Sequence, residues 1–132
     1  MDAPSESDLI LPFLLPARRV RWAELFSKPK GRKRLMDSLW HGRDIDPKFL
    51  VPIHPNRANP HDVAAMLRRL GSSEQCHVLS VRRDLDGKDL DLHLALEQVV
   101  GVAPGTVVSC LPGKLAYYER DEKNGRYLLM KK

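Results

Sequence analysis

The spacing of apolar positions divides the chain into a helical half and a β half. In residues 20–27, Trp22, Leu25 and Phe26 follow the i, i+3, i+4 rule of one helix face. Pro29 interrupts, then opens a second helix at its tolerated first-turn position. There Leu35, Met36, Leu39 and Trp40 share a stripe, and Gly42 is a suitable stop. The clearest pattern covers 60–70. Asn59 caps it, Pro60 takes the first helical position, and Asp62 lies near the positive end. Val63, Met66, Leu67 and Leu70 fall at i, i+3, i+4, i+7, and Gly71 closes the helix after Arg68 and Arg69.

After Gly71 the pattern turns to strands. Residues 76–81 (CHVLSV) form a short apolar strand, and 84–89 (DLDGKD) a turn around Gly87. Residues 90–100 place Leu92, Leu96 and Val99 on one helix face and end at Gly101. Strands are predicted at 106–111, 115–119 and 126–130. Asn124-Gly125 is a hairpin signal. Pro112-Gly113 suits a type II turn, which fits a tight hairpin badly and implies a wider loop or splayed strands.

Two segments lack periodicity. Residues 43–59 read as a proline-rich connection with one turn around 47–50. Residues 9–16 (LILPFLLP) are apolar but twice broken by proline. They are expected as an extended arm laid on the surface or docked into a partner, following a polar, frayed start.

The expectation is a single α+β domain. N-terminal helices precede a β-α-β-β-β half with a small, largely antiparallel four-stranded sheet and helices on one face. Its first two strands, joined through a helix, are expected to be parallel neighbours. Residues 1–16 form the arm and 17–132 the domain, with its helical part at 17–71 and its sheet part at 72–132. The length of 132 residues supports one core. With 42% hydrophobic and 30% charged residues, composition excludes disorder, collagen-like repeats and a disulfide scaffold. The apolar run at 9–15 is too short to span a membrane and lacks the basic start of a signal peptide. Cys76 and Cys110 therefore read as buried, reduced thiols of a cytoplasmic protein, with a disulfide between them as the lesser alternative if their strands are neighbours.

Charge changes the picture. Residues 1–70 hold 13 Lys+Arg against 8 Asp+Glu, whereas 71–132 hold 9 of each. Within 17–43 stand nine bases and only Glu24 and Asp37 as acids. Such a face either attracts an acidic macromolecule or is solvated for solubility. Lys30, Arg32, Lys33 and Arg34 are the candidate binding residues, the last three early in the second helix, where phosphate contacts fall. No base-reading Asn or Gln accompanies them. Tyr117 and Tyr118 are adjacent, so a strand shows only one to each face, less than an RNA-recognition sheet needs. Contact independent of nucleotide sequence is the expected limit. The apolar arm with Trp22 and Trp40 also has a composition that protein interfaces favour.

Motif chemistry is sparse. The chain holds no phosphate loop, GxGxxG, HExxH or GxSxG, and no cofactor is expected. The five histidines lack ligand spacing, and Cys76 and His77 face opposite sides of a strand, so no metal is expected. Asp84, Asp86 and Asp89 around Gly87 are carboxylates suited to a divalent cation, but a helix-capping turn is preferred. The candidate nucleophile is Cys110, with His77 or His93 as base and Asp86 or Asp89 orienting it. The preferred reading is thus a non-enzymatic binding or regulatory protein meeting an acidic protein or nucleic acid through 17–43. The rival is a small cysteine-dependent enzyme using Cys110 and His77.

Overall fold

Six prolines mark where helices begin. Pro12, Pro16, Pro29, Pro47, Pro55 and Pro60 each occupy one of the first two positions of a helix or 3-10 turn. There a missing N–H leaves no intrahelical bond unmade. The computed structural model describes residues 4–131. Its elements in chain order are α1 (Glu6–Ile10), a 3-10 turn (Leu11–Phe13), α2 (Pro16–Phe26), α3 (Pro29–Ser38), a 3-10 turn (Pro47–Phe49), β1 (Leu50–Pro52), a 3-10 turn (Pro55–Arg57), α4 (Pro60–Arg69), β2 (Gln75–Ser80), β3 (Asp89–Asp91), α5 (Leu92–Val99), β4 (Thr106–Leu111), β5 (Leu115–Glu119) and β6 (Arg126–Met130).

The fold is α+β, but its sheet is larger than expected. Six strands, not four, pair in the order β1-β6-β5-β4-β2-β3, every neighbour antiparallel. The extra strands are the two edges, each three residues long. β2 and β4 are neighbours but antiparallel. β3 first folds back along β2, and α5 then returns the chain before β4 enters. Asp91 caps α5 by accepting from the His93 and Leu94 N–H groups, so the helix starts at Leu92 rather than at 90.

Helices cover both sheet faces, not one. α4 and α5 bury Val63, Ala64, Leu67, Leu92, Leu96 and Val99 against one face. The N-terminal segment buries Ile10, Phe13, Trp22, Leu35 and Leu39 against the other. Tyr117 and Tyr118, alternating on β5, enter opposite cores and are both fully buried. The Tyr118 hydroxyl donates to the Leu39 carbonyl at 2.6 Å. It lies so close to Gly42 (φ +67°) that a Cβ there would meet it.

The proline-broken segment is therefore not an extended arm. Ser5 and Asp8 form a capping box that starts α1, and Leu9, Ile10, Phe13 and Leu14 are buried. Leu14 bridges Ile45; the Leu15 N–H donates to the Asp44 carbonyl and the Asp46 N–H to that of Phe13. Leu70, expected in the buried stripe, is 41% exposed because α4 ends at Arg69 and Leu70 lies beyond its last turn. Trp22 is core, while Trp40 is partly exposed and donates to Asp121 at 2.7 Å. The Pro112-Gly113 link is a three-residue loop between paired Leu111 and Leu115, with Gly113 at φ +69°. Asn124 (φ +57°) lies in a loop longer than a tight hairpin, between paired Glu119 and Arg126.

Candidate functional site

Two places concentrate polar chemistry: the outer face of α2–α3, and a cleft where β2 begins and β4 ends. α2 and α3 pack against one another, and Gly31 permits their approach. A Cβ on Gly31 would stand 2.4 Å from the Leu25 carbonyl oxygen. Their apolar sides hold Trp22, Leu35 and Met36 in the core, which turns the basic positions outward. Arg21, Lys28, Lys30, Lys33, Arg34 and Arg43 are exposed, and none forms an ion pair among the described residues. Arg83, from the β2–β3 connection, joins Lys33 along a groove of about 230 Å³. Nothing in the sequence pattern pairs those two positions.

Arg32 behaves differently from its basic neighbours. It binds Glu6 through Nε at 2.7 Å and Nη2 at 3.0 Å, and both carboxylate oxygens of Asp86 through Nη1 and Nη2. Those bonds raise its already high pKa. Arg32 is thus spent on joining α1, α3 and the β2–β3 turn. Arg18 pairs with Asp44 at 3.5 Å, and Arg19 donates to the Leu14 carbonyl at 3.3 Å. The exposed set is smaller than the nine bases of the sequence.

Glu6 continues the chain of charges into the cleft. Its Oε2 lies 2.7 Å from His77 Nε2, and His77 Nδ1 lies 2.7 Å from Asp89 Oδ1. Burial alone lowers the His77 pKa, but the hydrogen bonds and charges of Glu6 and Asp89 outweigh it and raise it above the ordinary value. The Arg32 hydrogen bond holds the Glu6 carboxyl below its usual range against burial, and His77 adds to the effect. This arrangement fastens α1 to the sheet.

The titrations have a stability consequence. His77, raised on folding, contributes fully below about pH 6.5 and loses that contribution as pH rises through its folded value. Glu6, lowered on folding, contributes above about pH 4.5 and loses it as pH falls. The latch should be strongest between these limits. The difference in thermal midpoint between wild type and His77→Gln, measured by calorimetry, is expected to be largest near about pH 5.5 and to shrink toward about pH 8. A difference constant over that range would mean that His77 carries no coupled charge.

The same cleft, about 490 Å³, brings together Cys76, Cys110, His77, Ser109, Glu6 and Asp89. Cys110 and His77 share it without forming a nucleophile–base pair in this arrangement. Both imidazole nitrogens are occupied by carboxylates, and the Cys110 thiol donates to the Val108 carbonyl at 3.4 Å. Cys110 is 1% exposed, and contact with Cys76 together with burial pushes its thiol well above the ordinary range. His93 lies elsewhere, 2.9 Å from Glu97 one turn along α5. Asp84, Asp86 and Asp89 each face a different cation, Arg82, Arg32 and His77. No metal-holding group of three or more His, Cys, Asp or Glu forms among the described residues. No helix among them is long and apolar enough to cross a membrane.

Sequence reasoning missed Glu6 and Asp86 as the partners of Arg32. Ion pairs between distant positions leave no periodic trace, but the Ser5-x-x-Asp8 capping box could have placed Glu6 on a helix. Compared with known protein families, curated proteins and solved structures, the chain matches none.

Proposed function

We propose that the protein is a non-enzymatic binding or regulatory protein that engages an acidic macromolecule through the outer face of α2–α3. The observation that carries this reading is the set of exposed cations without a carboxylate partner among the described residues: Arg21, Lys28, Lys30, Lys33 and Arg34, with Arg43 nearby. Exposed cations without an ion pair among the described residues also stand elsewhere, at Arg57, Arg69, Arg83, Lys88, Lys114, Lys123 and Lys131, but these are scattered along the chain, whereas five of the α2–α3 set fall within residues 21–34. A polyanion displacing water and counterion from such a face gains affinity without any deep pocket. Nucleic acid is the polyanion to test first, because its charge density turns a few lysines and arginines into measurable binding.

The rival, a cysteine-dependent enzyme, has in its favour the cleft that Cys110 shares with His77. Against it stand the burial of the thiol and the two carboxylates on the imidazole. A nucleophile needs its thiolate accessible and its base free, and this arrangement supplies neither.

The test is titration of labelled DNA and RNA by fluorescence anisotropy at several salt concentrations. Wild type should bind with log K falling linearly in log salt. The triple variant Lys30→Ala, Lys33→Ala, Arg34→Ala should flatten that slope by about 2–3, one for each phosphate contact removed. Arg32 is left in place, since its removal would unfasten α1 and confuse folding with binding. No binding at low salt, or an unchanged slope in the variant, would remove nucleic acid as the partner of this face.

A further inference from the structure

Cys76 and Cys110 are far apart in sequence and meet across the β2–β4 pairing. The register sets His77 opposite Ser109, Val78 opposite Val108 and Ser80 opposite Thr106. Extended by one step, it sets Cys76 opposite Cys110. The Val81 N–H donates to the Gly105 carbonyl, which makes that opposed pair the hydrogen-bonded kind. By alternation Ser80–Thr106, Val78–Val108 and Cys76–Cys110 fall at the other kind, where side chains approach most closely. Ser80 and Thr106 display the consequence, their hydroxyl oxygens lying 2.7 Å apart. Even numbers on β2 share one sheet face, so the two cysteines meet there as Ser80 and Thr106 do. Both are free thiols; that of Cys76 donates to the Ser73 carbonyl at 3.7 Å and that of Cys110 to the Val108 carbonyl at 3.4 Å. Opposed residues of this kind have Cα atoms about 4.5 Å apart, inside the span of about 4.4–6.8 Å that a disulfide bridges.

Position in the sheet distinguishes this pair from two ordinary core thiols. The regular ladder ends at His77–Ser109, where β4 bulges and the Cys110 carbonyl turns to accept from the Ser73 N–H. Both cysteines also form part of the wall of the cleft, between Gln75 on one side and Pro112 on the other. They are 2% and 1% exposed, so only a very small reagent reaches them from that side.

We propose that Cys76 and Cys110 are a redox pair that hydrogen peroxide, entering through the cleft, converts to a cross-strand disulfide. The Cys76 thiolate attacks one peroxide oxygen, the O–O bond breaks, and hydroxide leaves with the second oxygen. Cys76 is then a sulfenic acid. The Cys110 sulfur attacks the Cys76 sulfur and expels the hydroxyl, which departs as water with the Cys110 proton. Both electrons passed to peroxide come from the two thiols, and a dithiol reductant reverses the change. The roles follow from the surroundings. Cys76, next to exposed Gln75 at the start of β2, meets the reagent first and is the attacker, and Cys110, its thiol held on the Val108 carbonyl, is the resolver. This inference does not depend on the basic face of α2–α3.

The experiment treats native full-length protein with hydrogen peroxide, then denatures it in iodoacetamide and measures intact mass. The expected product lacks the two thiol hydrogens, takes up no alkyl group, remains monomeric on a non-reducing gel, and regains two alkylation sites after dithiothreitol. Peptide mapping should place the bond between Cys76 and Cys110. Cys110→Ala should instead trap a sulfenic acid on Cys76, read as a dimedone adduct, while Cys76→Ala should give none on Cys110. Wild type that still accepts two alkyl groups after peroxide, or that links only between molecules, would overturn the proposal. The wild-type measurement decides the matter even where an alanine variant fails to fold.

Discussion

Replacing Trp22 with alanine is expected to lower the unfolding free energy by about 3–5 kcal/mol, measured by urea denaturation. Trp22 is 1% exposed and lies in the core that joins the N-terminal helices to the sheet. Its ring sits 6.1 Å from that of Phe26, and its indole N–H donates to Asp44 Oδ2 at 2.8 Å. Asp44 belongs to the short bridge that holds residues 13–15 against 44–46. Truncation therefore leaves a large cavity and also removes a hydrogen bond that fixes the chain entering α2. Trp22→Phe separates the two effects. It keeps most of the apolar volume and should cost about 1–2 kcal/mol, chiefly the lost hydrogen bond. A cost below about 1 kcal/mol for Trp22→Ala would mean that the N-terminal layer is not energetically part of the core.

Elements with one strong local signal were legible. α4 carries its cap, its proline and its period together, and is found at Pro60–Arg69. The strands at 106–111, 115–119 and 126–130 appear with those bounds. What failed was the inference from elements to layers. TVVSCL and LAYYE are continuous apolar runs rather than alternating ones, which is the mark of strands covered on both faces. Read that way, they require a second helical layer, and the only chain left to build it is the N-terminal segment. Pro12 and Pro16 look like breaks in an apolar run, but at the first positions of a helix proline starts one. The edge strands were hidden for another reason. Leu50–Pro52 and Asp89–Asp91 contain proline and aspartate, residues poor in strands, and are held by pairing to one neighbour only.

Of the candidate site, the sequence displayed the quantity of charge but not its disposition. Nine bases in 17–43 look alike in one dimension. In the fold, Arg32 is taken by Glu6 and Asp86, Arg18 by Asp44 and Arg19 by carbonyls, while Lys30, Lys33 and Arg34 are left outward. Which cations remain free depends on contacts between positions tens of residues apart, and no local period encodes them. The cysteine pair is similar. Its residues were visible as apolar strand positions that could pair if their strands were neighbours, but the antiparallel register that sets them opposite one another is not written in either segment.

Leu67→Ala is expected to cost about 2–5 kcal/mol, the range for a fully buried leucine whose removal leaves a cavity. Leu67 is fully buried in the core on the opposite sheet face from Trp22, together with Val63, Val78, Leu92 and Leu96. Leu70→Ala makes the comparison sharp. By spacing the two leucines belong to one stripe and would lose similar amounts. In the fold α4 ends between them, Leu70 is 41% exposed, and its truncation should cost less than about 1 kcal/mol. Urea denaturation of both variants measures where the helix stops contributing. Equal costs would put Leu70 back in the core and extend the helix past Arg69, whereas a cost below about half a kcal/mol for Leu67→Ala would contradict the packing of α4 on the sheet. Trp22→Ala and Leu67→Ala lie in different cores with the sheet between them. If the sheet couples the two layers into one cooperative unit, each variant should shift the whole urea transition without splitting it. A biphasic transition in Trp22→Ala alone would identify the N-terminal layer as a separately melting unit on a stable α4–α5 sheet.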